Sequence, residues 1–411
     1  MNVSYWISKR LRLRGEGGSG TGVVIAVAGV ALALVIMELT IAVVLGFKDG
    51  IREKLMGFDA QINVEAPYGS LDDILHVAPE LEEFVHREMP GTDIRMALRQ
   101  PALLKTDNDF HGLVFLAQSP DADFSFERSN IIEGEWPDYS ADSCDNKIVI
   151  SSQVADALGL GVGDRVFSTF FVDGDIKMRR HTVAGLFRSD FGEYDYNVAY
   201  ASLRAMQRVA GIDSLSCHRL DIRGINLDDI APEAARLQQA FIDAAATGKM
   251  DELYVIDNVT HTGAVYFNWL DLLDTNVVVI FLLMLAVAGL TLISSLFILI
   301  LERVRLIGVL RAMGAARPMV RRIFVDMAMR LVGLGMLIGN IVGLGLLWLQ
   351  HSTHFIALDP QMYYLSSVPV EFNIWAIIAL NAGVAATAWL ILILPARLAS
   401  SIDPAKAMSY E

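Results

Sequence analysis

Four apolar stretches constrain this 411-residue chain more than any other feature. They fall at 23–45, 277–301, 323–349 and 374–394. Each supplies the ~20 helical residues needed to cross a hydrocarbon core. Backbone groups in lipid find no water, so such stretches are expected to be helices, which bond their own amides. They account for a hydrophobic fraction of 54% and a mean hydropathy of +0.43. The first follows Lys9, Arg10, Arg12 and Arg14, as a signal peptide would. It is too long for a signal h-region, and no small-x-small cleavage site ends it, so it reads as an uncleaved anchor.

Charge orients the spans. The first 20 residues carry four Lys/Arg against one Glu, and residues 302–322 carry six Arg against one Glu. The connection 46–276 holds 20 Lys/Arg and 39 Asp/Glu, and residues 350–372 hold no Lys or Arg. Basic loops stay in the cytosol. The expectation is a membrane protein with four transmembrane α-helices, one N-terminal and three C-terminal. A large α+β extracytoplasmic domain separates helices 1 and 2. The segments run 1–20 (interfacial helix and linker), 21–45 (span), 46–270 (outer domain), 271–301 (span) and 302–320 (cytosolic helix). The remainder runs 321–349 (span), 350–372 (outer loop), 373–395 (span) and 396–411 (cytosolic tail). Tyr5 and Trp6 beside the basic run suit a helix lying at headgroup level. The acidic balance belongs to the outer domain and argues against nucleic-acid binding.

Within the outer domain, residues 61–65 alternate like a strand, and 71–88 read as an amphipathic helix. Residues 147–150 form a short strand, followed by a helix over 152–158 stopped by Gly159. Asp173-Gly174 fits a two-residue hairpin loop between strands 165–172 and 176–187. Residues 202–209 and 232–245 read as helices. Cys144 and Cys217 both fall in this domain. A disulfide is allowed in an oxidising compartment, and two separate small apolar residues are the alternative.

The segment 302–315, ERVRLIGVLRAMGA, is compact, basic and helical in pattern, and it lies between two spans. Ile307, Val309, Leu310 and Met313 are its candidate apolar contacts for a soluble partner, and Arg303, Arg305 and Arg311 its charged ones. Gly308 and Gly314 permit close approach and end the helix. A loop that serves topology alone is the alternative. Gly335, Gly339 and Gly343 recur at spacing four in the third span, the pattern that lets helix backbones approach closely in lipid. Glu38 lies well inside the first span and is a membrane-embedded functional candidate. The alternative places it near the outer edge, snorkelling.

Catalytic chemistry is not expected. No Walker A loop, HExxH, CxxC or GxSxG occurs, and Gly248-Lys249 lacks the upstream glycine. His351 and His354 make a weak metal signal without cysteines nearby, so no metal is assigned.

The layout and four motifs resemble the MacB/FtsX/LolC-type ABC transporter permeases, over nearly the whole chain. ERVRLIGVLRAMGA resembles their loop E-x-x-R-E-I-G-V-L-R-A-x-G-A, with Leu306 where that pattern has Glu. The ending LPARLASSIDPAKAMSYE matches the family tail at Pro395, Ala396, Ile402, Asp403, Pro404, Ala407 and Glu411. GFKDGIREKLMGFDAQINV, and Glu193, Tyr194 and Asp195 within VAGLFRSDFGEYDYNVAY, are similar to the LolC/LolE branch. The resemblance implies a Gram-negative inner-membrane permease with both termini cytosolic. It implies two copies of a separate ABC ATPase on the 302–315 helix and a second permease, identical or related. This chain itself would bind no cofactor, ATP and Mg residing in the ATPase. Lipoprotein release is the implied function, and MacB/FtsX-like mechanotransmission, for efflux or for cell-wall hydrolase control, is the alternative. In that branch a long proline-containing hairpin docks the periplasmic carrier LolA. Here STFFVDGDIKMRRH turns tightly and has no proline, which leaves carrier docking open.

Overall fold

The computed structural model describes residues 21–66, 74–107, 109–172, 174–250, 252–302, 308–310 and 312–399. The expected interfacial helix at 1–20 lies outside these residues. So do Arg303, Arg305, Ile307, Arg311 and residues 400–411 of the tail.

The first helix is α1 (Thr21–Phe58). The inter-span elements follow as β1 (Ile62–Glu65), β2 (Leu75–His76), α2 (Pro79–Glu88), β3 (Asp93–Lys105), β4 (Phe110–Gln118), α3 (Ser125–Ser129) and β5 (Ile131–Gly134). Next come β6 (Lys147–Ser151), α4 (Ser152–Leu158), β7 (Arg165–Val172), β8 (Asp175–Phe187), α5 (Gly192–Asn197), β9 (Val198–Ser202) and α6 (Leu203–Ala210). The domain closes with β10 (Ser216–Cys217), β11 (Arg219–Arg223), α7 (Leu227–Ala246), β12 (Val255–Asn258) and α8 (Val259–Thr262). Then follow α9 (Ala264–Glu302), α10 (Arg317–Thr353), α11 (Pro360–Tyr363) and α12 (Ile374–Ala399). Among the described residues, four helices are long and apolar enough to cross a membrane: α1, α9, α10 and α12.

The chain folds as two units. One comprises Met1–Asp49, Leu270–Ala357 and Ser367–Glu411; the other comprises Gly50–Trp269 and Leu358–Ser366. In the first unit, the glycines of α10 face α1. A Cβ on Gly335 would lie 2.9 Å from the Val27 carbonyl oxygen, and one on Gly339 would lie 3.0 Å from that of Ala31. Any larger residue there would push the helices apart, which explains three glycines at spacing four. Lys48 on α1 pairs with Asp274 on α9 at 2.7 Å.

In the second unit the strand pairings close on themselves. Strand β3 pairs with β4, β4 with β9, β9 with β6, β6 with β8, β8 with β7, and β7 returns to β3. The pairings therefore close a six-stranded ring, with Phe110–Leu113 of β4 and Asp175–His181 of β8 paired on one side only among the described residues. Strand β3 makes this possible through its length. On one side it pairs with β4. On the other it gives Asp93–Ala97 to β11 and Ala102–Lys105 to β7. Strand β11 continues the sheet through β1 to β12. Leu98, Leu104, Phe115, Ile148, Val166, Phe170, Val183 and Ala199 fill the interior, joined by residues of α4 and α6. Ser151 caps α4 by accepting from Val154 N–H, and Gly159 ends it at φ 65°. Ser202 and Gly211 treat α6 in the same way. Positive φ suits glycine because it has no Cβ.

Some local expectations change. Within the described residues 74–88 of the helix read over 71–88, the helix covers Pro79–Glu88, with β2 just upstream. Proline lacks an N–H and forces the preceding residue out of the helical region, and Ala78 is extended (ψ 151°). Helix α7 starts at Leu227 rather than Pro232, because buried Ile230 extends the apolar stripe of Ala234, Leu237 and Phe241. Asp228 and Asp229 suit its first turn. The disulfide is absent: Cys144 and Cys217 are free, buried thiols. Cys144 ends a 3-10 turn after β5, whereas Cys217 lies in β10 and its thiol donates to the Arg219 carbonyl at 3.2 Å. Val172 pairs with Asp175, so the β7–β8 loop is two residues long.

Gly57, near the end of α1, has no room for a side chain: a Cβ would overlap the ring of Phe126 on α3. Gly57→Ala is expected to cost about 1–3 kcal/mol, read as a lower unfolding midpoint for the detergent-purified chain.

Candidate functional site

Asp59 follows the last residue of α1 directly. Its carboxylate accepts from Arg219 Nη2 at 2.5 Å and from Arg99 Nη2 at 2.9 Å. Arg219 pairs on its other side with Asp221 at 2.6 Å, and Asp221 accepts from Gln118 at 3.3 Å. Arg223 donates to the Gly57 carbonyl at 2.9 Å. Two neighbouring strands, β3 and β11, thus hold the end of α1, and Gln118 of β4 braces Asp221 behind them. Burial alone would raise the Asp59 carboxyl, but Arg219 and Arg99 outweigh it and hold it down to about 2.

Aromatic rings surround the same helix end. Phe58 stacks on Tyr194 of α5 at 4.0 Å and meets Phe126 of α3 at 4.9 Å. Phe191 contacts Tyr266 at the start of α9 (5.3 Å) and Tyr364 (4.9 Å). Lys54 donates to the carbonyls of Ser189 (2.6 Å) and Tyr364 (2.9 Å). Asp195 is fully buried and accepts from the backbone N–H groups of Ser189 and Asp190, which fixes the turn before Phe191. Segments far apart in sequence therefore meet here: the end of α1, the Glu193-Tyr194-Asp195 stretch, the start of α9 and the loop Leu358–Ser366.

A pocket of about 860 Å³ opens beside this cluster. Its apolar wall includes Phe58, Val114, Leu116, Phe171, Phe191 and Tyr266; Asp59, Arg99 and His218 are among its polar groups. The Arg99 backbone N–H donates to His218 Nδ1 at 3.2 Å. Among the described residues, no group of three His, Cys, Asp or Glu is placed to hold a metal.

The residues singled out from sequence lie elsewhere. Glu38 is fully buried within the first unit, rather than turned outward to snorkel. A Cβ on Gly343 would overlap its carboxylate. Nearby Asn340 of α10 and Asn381 of α12 exchange amide hydrogen bonds of 2.8 and 3.0 Å. In the 302–315 segment, residues 308–310 are helical. Gly308 is buried, Leu310 half-buried, and Val309 and Met313 are 46% and 79% exposed. Gly314 adopts φ 89°, and Ala315 N–H returns to the Leu310 carbonyl at 3.0 Å, the closure that ends helices at a left-handed glycine.

Sequence reasoning missed Asp59, Arg99, Arg219 and the pocket. Asp59 occupies the variable position of the GFDA motif, and Arg219 is 160 residues away. Only the alternation of β3 and β11 hinted that charged side chains would share one sheet.

Comparison with known proteins matches residues 23–240 to the MacB-like periplasmic core domain and residues 278–404 to the FtsX-like permease C-terminal family. The chain is 26% identical over 398 residues to the "Lipoprotein-releasing system transmembrane protein LolC" of Xylella fastidiosa (strain 9a5c), covering 90% of each. It is 23% identical over 395 residues to the protein of that name in Neisseria meningitidis serogroup B (strain MC58), covering 90% of this chain and 91% of the relative. Among solved structures, the periplasmic region of MacB from Actinobacillus actinomycetemcomitans aligns at TM-score 0.34 and 12% identity, over 50% of this chain and 92% of that one.

The Asp59 carboxyl sits lower in the folded chain than its unfolded value near 4. Its contribution is therefore present above about pH 4 and is lost as pH falls toward about 2. Asp59→Asn is expected to lower stability at neutral pH by on the order of 2 kcal/mol and to flatten the acid limb. Unfolding midpoints measured from pH 7 to pH 2 check both.

Proposed function

The chain belongs to the MacB/FtsX superfamily of ABC transporter permeases, and from that membership we propose that it is the inner-membrane subunit through which a separate ATPase drives release of lipid-anchored proteins. The observation that carries this reading is the similarity to the lipoprotein-releasing LolC chains over about nine-tenths of both sequences. The two motifs of the LolC/LolE branch support it. Residues of one, Tyr194 and Asp195, sit at the aromatic cluster around the end of α1.

In this reading the N-terminus, the 302–320 loop and the tail are cytosolic, in line with the basic segments. Two copies of the ATPase, holding ATP and Mg, engage the 302–315 segment of this permease and of its partner permease. Val309 and Met313, one turn apart and exposed, are apolar anchors for that contact. Leu310 is half-buried, and Gly314 ends the element. Arg303, Arg305 and Arg311 supply its charges. Helices α1 and α9 each run unbroken, from Thr21 to Phe58 and from Ala264 to Glu302. Motion enters the periplasmic domain along those helices as a switch between two packed arrangements. The two-residue β7–β8 loop offers no extended hairpin, so a related second permease supplies the carrier contact.

A test uses the complex with its ATPase, reconstituted with a triacylated lipoprotein. Leu310→Asp puts a charge into an apolar contact and is expected to cut lipoprotein release at least about tenfold, with ATPase co-purification weakened. Full release by Leu310→Asp would falsify the coupling assignment. A wild-type complex that releases no lipoprotein, yet captures a cell-wall hydrolase or an outer-membrane channel, points to mechanotransmission instead.

A further inference from the structure

The barrel carries an unusual outer face. Register across β4, β3, β7 and β8 sets side chains in rows. One row holds Phe110, Lys105, Phe167 and Arg180; the next holds Gly112, Leu103, Thr169 and Met178. Val114 and Pro101 share a third row, and Phe171 and Ile176 continue it. Outward positions of a solvated strand are ordinarily polar. Here Phe110, Phe171 and Ile176 are 67%, 65% and 66% exposed, and Met178 and Phe167 are about half exposed. A contiguous apolar face of this kind marks a binding surface.

Two further observations narrow its occupant. First, the face is continuous with the pocket beside Phe58, because Pro101, Val114 and Phe171 also line that pocket. At about 860 Å³ the pocket has the size of a small-molecule site. Second, the strands beneath the face lie inside a closed ring. At the centre of the face, Ala102–Lys105 of β3 and Phe167–Phe170 of β7 are paired on both sides, so an added peptide strand would find backbone partners only at the outer margins of β4 and β8. An occupant rich in hydrocarbon and poor in hydrogen-bonding groups fits both. One polar function has a waiting partner: Arg99 Nε, in the pocket wall, is a buried donor with no acceptor among the described residues. The same guanidinium commits Nη2 to Asp59.

We propose that this outer face and pocket form a shelf for a single acyl chain, whose ester carbonyl or carboxylate oxygen is received by Arg99. The tail lies against Val114, Leu116, Phe171 and Ile176. The lipoprotein reading bears only on what carries the acyl chain: the anchor of a protein cargo or a membrane lipid. The chemistry of the shelf is the same for both.

The experiment uses the full chain, co-expressed with its ATPase in cells fed tritiated palmitate. Photoreactive benzoylphenylalanine replaces Phe171, Leu103 or, as a control, Gln239 on the exposed side of α7. Ultraviolet light is expected to label the chain at positions 171 and 103 about tenfold above the control, and Ile176→Asp with Met178→Asp is expected to abolish that excess. These two side chains are exposed, so the double variant keeps the fold. Labelled bands enlarged by a polypeptide identify a lipid-anchored protein, whereas label without such enlargement identifies a phospholipid or free fatty acid. Either supports the shelf. Label no higher than at Gln239, or cross-links only to polypeptide lacking tritium, overturns it. Lipoprotein release without shelf labelling sinks the shelf alone; a labelled shelf in a complex that releases no lipoprotein sinks the lipoprotein reading alone.

Discussion

The end of α1 is held by a carboxylate between two guanidiniums. Asp59 stands one residue beyond the helix and is bound by Arg99 from β3 and Arg219 from β11. Arg219 is buried, and burying its charge is tolerable only because it finds partners in both Asp59 and Asp221. Once the helix end is fixed, Phe58 and Gly57 are fixed with it. Phe58 then nucleates the ring contacts with Tyr194 and Phe126, and Arg223 claims the Gly57 carbonyl.

The closed barrel makes this clamp stiff. Strand β3 serves three neighbours, β4, β7 and β11, so the residue that grips Asp59 belongs to the strand that closes the ring. Phe115 and Phe170 fill the interior beneath it. Closure also explains how this domain tolerates large apolar side chains outside. A sheet with open edges and an apolar face would invite strand pairing between molecules, whereas here Ala102–Lys105 of β3 and Phe167–Phe170 of β7, at the centre of the face, are paired on both sides. The apolar face is thereby kept for side-chain and hydrocarbon contacts.

Much of the membrane part was legible in the sequence because lipid is a severe solvent. It demands about 20 apolar residues per span, and it leaves small residues where helices touch. Gly335, Gly339 and Gly343 could be read as a contact stripe for that reason, though their partner, α1, could not be named. Local punctuation was legible in the same sense: Gly159 stopped a helix, and Val172 pairs with Asp175 across a short β7–β8 connection. Punctuation misled where two signals competed. The apolar pattern of 71–88 suggested one long helix, but Pro79 fixed the start, and Pro232 looked like a start although buried Ile230 had already begun the stripe.

The sequence by itself determined the number of spans, the insertion of a mixed domain after the first, and the family. Each follows from local hydropathy or from a short contiguous motif. Only the tertiary structure decided that Asp59, Arg99 and Arg219 form one clamp, that six strands close into a ring, and that Phe110, Phe167, Phe171, Ile176 and Met178 share an exposed face. The physical reason is that these facts reside in register. Pairing β3 with β7 joins residues about 65 positions apart, and a one-residue slip would turn every one of those side chains inward. Hydropathy alternation along one strand says that two faces differ; the pairing of the whole ring decides which face meets the core and which meets a ligand.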